Sequence, residues 1–104
     1  MELNVTFRHA ETSEVLKEHI REKIAKLSKY FIKPVQAHVT LNVEGPRHIA
    51  EISLSENHGL FNAREGSHDM YLSVDRVLAK IERQLKKYKE KIKDHHKRSK
   101  GILA

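Results

Sequence analysis

Each strand-like segment of this chain carries apolar side chains on one side only. Leu3, Val5 and Phe7 alternate with Asn4, Thr6 and Arg8. Val35, Ala37, Val39, Leu41 and Val43 alternate with Gln36, His38, Thr40 and Asn42. Ala50, Ile52 and Leu54 alternate with Glu51, Ser53 and Ser55, and Phe61 with Ala63 forms the inward face of a short fourth segment. Successive side chains of a strand point to opposite faces of its sheet, so this two-residue period gives one dry face and one wet face. A sheet of such strands must be covered on a single side, and the cover has to come from the helices of the same chain.

Two segments can supply that cover. Thr12 is the expected N-cap of a first helix, with Glu14 in the first turn, where the helix dipole favours a negative charge. Leu16, Ile20, Ile24, Leu27 and Phe31 then recur at four- and three-residue steps, and Lys33-Pro34 is the expected stop. In the second helix Met70, Val74, Val77, Leu78, Ile81, Leu85, Tyr88 and Ile92 fall in one sector at about 100° per residue. Turns are expected at Glu44-Gly45-Pro46 and Glu56-Asn57-His58-Gly59, and Glu65-Gly66-Ser67 is expected to break the fourth strand. The order is β-α-β-β-β-α. The predicted architecture is an α+β two-layer sandwich, a four-stranded mixed sheet with both helices on one face, strands one and two being parallel and the later pairs antiparallel hairpins. Residues 1–95 are read as a single domain. From His95 onward the apolar period is lost, and residues 96–104 are expected to form a basic, disordered tail.

The net charge is concentrated in the last third. Residues 1–68 hold nine Lys/Arg and nine Asp/Glu, whereas 69–100 hold eleven against five, so the whole +6 lies on the second helix and its extension. Arg76, Lys80, Arg83, Lys87 and Lys91 share one side of that helix as a ridge, with Lys86, Lys93 and Lys97 beside it. One cation per turn is one every ~5–6 Å, close to the spacing of phosphates along a strand. An amphipathic helix with such a ridge suits a polyanion, and its affinity should fall steeply with salt as counterions are released. The first helix adds Lys17, Arg21, Lys23, Lys26 and Lys29, interleaved with Glu18 and Glu22.

Other functions find little support. There is no cysteine, which excludes disulfides and thiolate metal sites and points to a reducing compartment. His38, His48, His58 and His68 recur every ten residues but fall on different strands and turns, so no metal site is expected. The four glycines are isolated and form no phosphate loop or dinucleotide fingerprint, and nothing marks a nucleophile. The expectation is a non-enzymatic, cytoplasmic protein with no cofactor and no small-molecule substrate. No signal peptide or membrane span is read, since no apolar stretch approaches the ~20 residues a span needs. Gly45-Pro46-Arg47-His48 matches a loop signature of double-stranded-RNA-binding domains. Those domains start with a helix and open their last helix with a lysine cluster, where this chain has Ser67-His68-Asp69-Met70. A general double-stranded-RNA-binding module is therefore the alternative reading, and a module whose basic helix meets an acidic protein is a third.

Asp69-Met70-Tyr71, Val74-Asp75, Lys80, Arg83-Gln84-Leu85 and then Lys87, Lys89 and Lys91 resemble the ribosome hibernation promoting factors and the related ribosome-associated inhibitor. Lys23, Ala25-Lys26-Leu27 and Tyr30-Phe31 in the first helix, and Leu3-Asn4-Val5 in the first strand, extend the resemblance over residues 2–95. It implies the fold predicted above and a stress protein that docks on the small ribosomal subunit, in the channel for mRNA and for tRNA in the A and P sites. Translation is thereby inhibited and idle ribosomes are kept inactive. The family's basic positions map onto Lys23, Lys26, Lys80, Arg83, Lys87, Lys89 and Lys91; Arg76 joins them from the ridge. The chain differs by one extra residue before Asp69, expected to lengthen a loop, and by Leu72-Ser73 in place of two alanines. The resemblance implies the short form, which is expected to lack the large C-terminal dimerisation domain of the long form. A monomer off the ribosome is expected, with ribosome modulation factor as a candidate partner for ribosome dimers.

Overall fold

Strand pairing follows the order of the chain. The computed structural model describes residues 2–31, 36–56 and 59–103, with side chains as far as Lys91. Strand β1 (Glu2–Arg8) is followed by helix α1 (Glu14–Lys26), a 3₁₀ turn (Leu27–Tyr30), strands β2 (Gln36–Glu44), β3 (Arg47–Glu56) and β4 (Gly59–Ser67), and helix α2 (Met70–Leu103). The sheet order is β1-β2-β3-β4, with β1 and β2 parallel and the other pairs antiparallel. This is the predicted mixed sheet. Gly45 takes a φ of +59° as the first of two residues between Glu44 and its partner Arg47. A two-residue hairpin loop needs a positive φ there, which glycine supplies without strain.

The alternating pattern sets the core. Ala37, Val39, Leu41, Ala50, Ile52, Leu54 and Phe61 of the sheet pack with Leu16, Ile20, Ile24 and Leu27, and with Val74, Val77, Leu78, Ile81 and Leu85 of α2. Ile20, Ile24, Leu41, Ile52, Leu54, Ile81 and Leu85 are fully buried. Each such side chain contributes about 1.5–3 kcal/mol by leaving water. Both helices thus cover the same face, and α2 packs over β3 and β4. Ile49 is buried as well, although its position in β3 puts it opposite Asn42 and Gly66 and outside that core.

Several boundaries differ from the sequence expectation. The N-cap of α1 is Ser13 rather than Thr12: its Oγ accepts the Leu16 N–H at 3.1 Å, the reach of a cap to the third helical residue. The α-helix stops at Lys26 and tightens into the 3₁₀ turn, leaving Phe31 extended but still packed against the core. The expected stop at Lys33-Pro34 and the loop residues Asn57 and His58 lie outside the described residues. Glu65-Gly66-Ser67 does not break β4, which runs on through Ser67. Gly66 pairs with Ile49, and the Arg47 guanidinium lies where a Cβ on Gly66 would be, so the glycine admits a crossing side chain rather than a turn. Finally, the α2 backbone is helical across residue 95 and on to Leu103, through the stretch expected to be a disordered tail. Loss of an apolar face does not end a helix when Lys, Arg and Leu remain good helix formers.

Candidate nucleic-acid interface

Helix α2 is held to the sheet at its start and along one flank. Asp69 caps it, its Oδ2 accepting the Leu72 N–H at 3.1 Å. Ser73 is fully buried and its hydroxyl donates to the His48 carbonyl of β3 at 2.6 Å, with the Ser67 hydroxyl also 2.6 Å away. Further along, Gln84 Nε2 donates to the Asn62 carbonyl of β4 at 2.9 Å. Tyr88 meets Phe61 edge-on, with ring centroids 5.2 Å apart. Loss of solvent around the Tyr88 hydroxyl, and then the Glu56 carboxylate facing it, raise its pKa above the usual phenol value.

These contacts fix the direction of the basic ridge. Lys80 Nζ meets Glu65 Oε1 of β4, the strand at the sheet edge, at 2.9 Å. Arg76 and Arg83 lie close enough to act on the same carboxylate. The Lys80 hydrogen bond holds the Glu65 carboxyl below its ordinary value of 4.5; its partial loss of solvent opposes this, and the charges of Lys80, Arg76 and Arg83 add to the lowering. Lys87 and Lys91 continue the ridge beside Phe61, Gln84 and Tyr88. Arg76, Arg83, Lys87 and Lys91 are exposed. Among the described residues Arg76, Arg83 and Lys87 form no ion pair.

The remaining candidates lie on the other flank of α2. Lys23, Lys26 and Lys29 line an open groove of about 330 Å³ together with Asp75, Leu78, Ala79 and Glu82. His19 bridges the two helices through Asp75, Nε2 to Oδ1 at 2.8 Å. Lys89 donates to the Lys29 carbonyl at 3.1 Å, and the Lys29 and Lys89 ammoniums lie 5.2 and 5.9 Å from the centroid of the Tyr30 ring. The eight candidate residues therefore form two sets. Arg76, Lys80, Arg83, Lys87 and Lys91 lie along β4, while Lys23, Lys26 and Lys89 lie toward α1 and the 3₁₀ turn. Sequence reasoning passes over Lys29 and Tyr30 as site residues, although Lys29 follows Lys26 by three residues and stands next to an aromatic ring. It misses Glu65 entirely, because the lysine that pairs with it is fifteen residues away in another element.

Among the described residues, no three His, Asp or Glu side chains gather as a metal site would require. Nor is any described helix long and apolar enough to cross a membrane.

Residues 3–93 match the family model described as Sigma 54 modulation protein / S30EA ribosomal protein. The chain is 39% identical over 95 residues to the ribosome hibernation promoting factors of Salmonella typhimurium and Escherichia coli, covering 91% of this chain and the whole of each relative. The N-terminal domain of Thermus thermophilus Protein Y superposes with a TM-score of 0.80 at 27% identity, over 85% of this chain and 99% of that one. A match over nearly the full length in sequence, joined by a superposition over most of the chain, means that the chain belongs to the Sigma 54 modulation protein / S30EA ribosomal protein family.

Proposed function

We propose that this protein is a ribosome hibernation factor that binds the small ribosomal subunit in the channel for mRNA and for tRNA in the A and P sites. There it inhibits translation and holds idle ribosomes inactive under stress or in stationary phase. The observation that carries the reading is the ridge Arg76–Lys80–Arg83–Lys87–Lys91, set along the sheet edge on a helix pinned by Ser73, Gln84 and the core. The relatives named ribosome hibernation promoting factor support the ribosome as the partner.

The chemistry is electrostatic and positional. A phosphate backbone held at fixed places by folded ribosomal RNA meets cations at one-turn spacing, and phosphate contacts orient a protein without reading base sequence. Lys23, Lys26 and Lys89 would serve a second strand on the side of α1. No catalytic step is required, and the protein works by occupying the channel in the cytoplasm. Ribosome modulation factor is a candidate partner where inactive ribosomes pair.

Co-sedimentation with purified small subunits, with and without bound mRNA and tRNA, tests this. The expected result is co-migration that is lost in high salt and reduced by bound tRNA. Equal affinity for any RNA duplex would instead favour the general double-stranded-RNA module, and absence of RNA binding would point to an acidic protein partner.

A further inference from the structure

Among the described residues, Glu65 is the one carboxylate that the ridge holds directly. It lies on the edge strand, a quarter exposed, with the Lys80 ammonium at 2.9 Å and the charges of Arg76 and Arg83 acting on the same group. In the free protein the Lys80 ammonium, near the middle of the ridge, thus already faces an anion of the protein itself. A phosphate approaching that place meets repulsion from Glu65 and finds Lys80 already neutralised. Two like charges competing for one cation cluster cannot both be accommodated at full strength.

We infer that Glu65 is an affinity-limiting residue of the RNA surface, an internal stand-in for phosphate that withdraws Lys80 from the contact set and weakens the middle of the ridge for polyanions. This rests on the reading of the ridge as an RNA surface. Its consequence is selectivity: a ridge with a weak centre gains little from an arbitrary RNA and depends on a partner that also engages Arg83, Lys87 and the cations beside α1. Discrimination built from an introduced repulsion is a general device of specific interfaces.

The test uses the full chain and two probes, purified small ribosomal subunits and a labelled RNA duplex of unrelated sequence. Replacing Glu65→Gln keeps the side chain's size and hydrogen bonding while removing its charge. It should tighten duplex binding about two- to fivefold at low salt, the range of an exposed ion pair, and steepen the dependence of log K on log salt by roughly 0.7–0.9, the value of one added phosphate contact. Glu65→Asp keeps the negative charge beside the ridge and should bind the duplex within about twofold of the unmodified chain, so that a gain confined to Glu65→Gln reads the charge and not the change of side chain. Thermal melting establishes that each variant is folded. Weaker or unchanged duplex binding by folded Glu65→Gln, or an equal gain in Glu65→Asp, overturns the inference. If Glu65→Gln does not fold, Glu65→Ala, which also removes the charge from this edge-strand position, is read in its place against the same outcomes. Reversal of Arg83 and Lys87 to Glu separates the two levels. If that reversal leaves both probes bound as before, the RNA surface itself is wrong; if it abolishes binding while Glu65→Gln has no effect, only the role of Glu65 fails.

Discussion

On one flank of α2, Arg76, Arg83 and Lys87 are exposed beside the sheet edge without an ion pair among the described residues. On the other, Lys89 is spent on the backbone of the 3₁₀ turn, and Lys23 and Lys26 share their groove with Asp75 and Glu82. Both flanks are rich in lysine and arginine, and Lys23 and Lys26 are as exposed and as free of ion pairs among the described residues as Arg83 and Lys87; what differs is that acids of α2 line the groove beside them. The difference comes from what each flank faces. Among the described residues the ridge has one acid in an ion pair, Glu65 with Lys80, whereas the open groove is lined by Lys23, Lys26 and Lys29 together with Asp75 and Glu82 of α2. Composition cannot distinguish two such surfaces, because it counts the lysines and arginines of both without saying where the acids stand.

The largest expected effect tests the exposed flank. Replacing Arg83 and Lys87 together with Glu should weaken small-subunit binding by several kcal/mol, at about 1–3 kcal/mol for each charge-assisted hydrogen bond removed, with the thermal melting curve unchanged. Binding that survives this change would reduce the ridge to a solvated face. A smaller loss is expected on the other flank. Lys23→Glu/Lys26→Glu should cost less than half as much in the same sedimentation measurement, because Asp75 and Glu82 already offset part of that charge. An equal loss would mean that the two flanks contribute alike and would erase the distinction. The smallest effect is one of stability. Lys89→Met should lower folding stability by about 0.5–1 kcal/mol, the net value of an exposed hydrogen bond, seen as a small drop in denaturation midpoint. The same substitution in the ridge, at Lys87, should leave the midpoint unchanged.

Much of this molecule is legible in its sequence, and the parts that are not share a cause. The period of two in Val39, Leu41, Ala50, Ile52 and Leu54 fixes which side of the sheet is dry. The helical period places Val74, Val77, Ile81 and Leu85 against it. That period also puts Arg76, Lys80, Arg83, Lys87 and Lys91 on a common side of the helix. A helical wheel has no external reference, however. Whether that side points toward α1 or toward β4 depends on where the axis lies over the sheet, which Ser73, Gln84 and the core decide through contacts with β3 and β4. The Glu65–Lys80 pair is hidden for the same reason. Local features are misplaced by smaller margins: Ser13 rather than Thr12 caps α1, since either of two adjacent hydroxyl residues can cap until the first helical residue is known. Gly66 looks like a break because glycine weakens a strand on average, whereas here its missing side chain makes room for Arg47.

The amide that Gln84 places against the Asn62 carbonyl has a further consequence. An outermost strand is a template on which another chain can grow, extending the sheet from molecule to molecule. A newcomer on the β4 side would have to displace Gln84 and push past the Lys80–Glu65 pair, both supplied by the overhanging helix and the strand it covers. The helix that carries the ridge thus also serves as a gatekeeper for the border of the sheet, opposing the stacking of copies into fibres on that side when the protein is abundant.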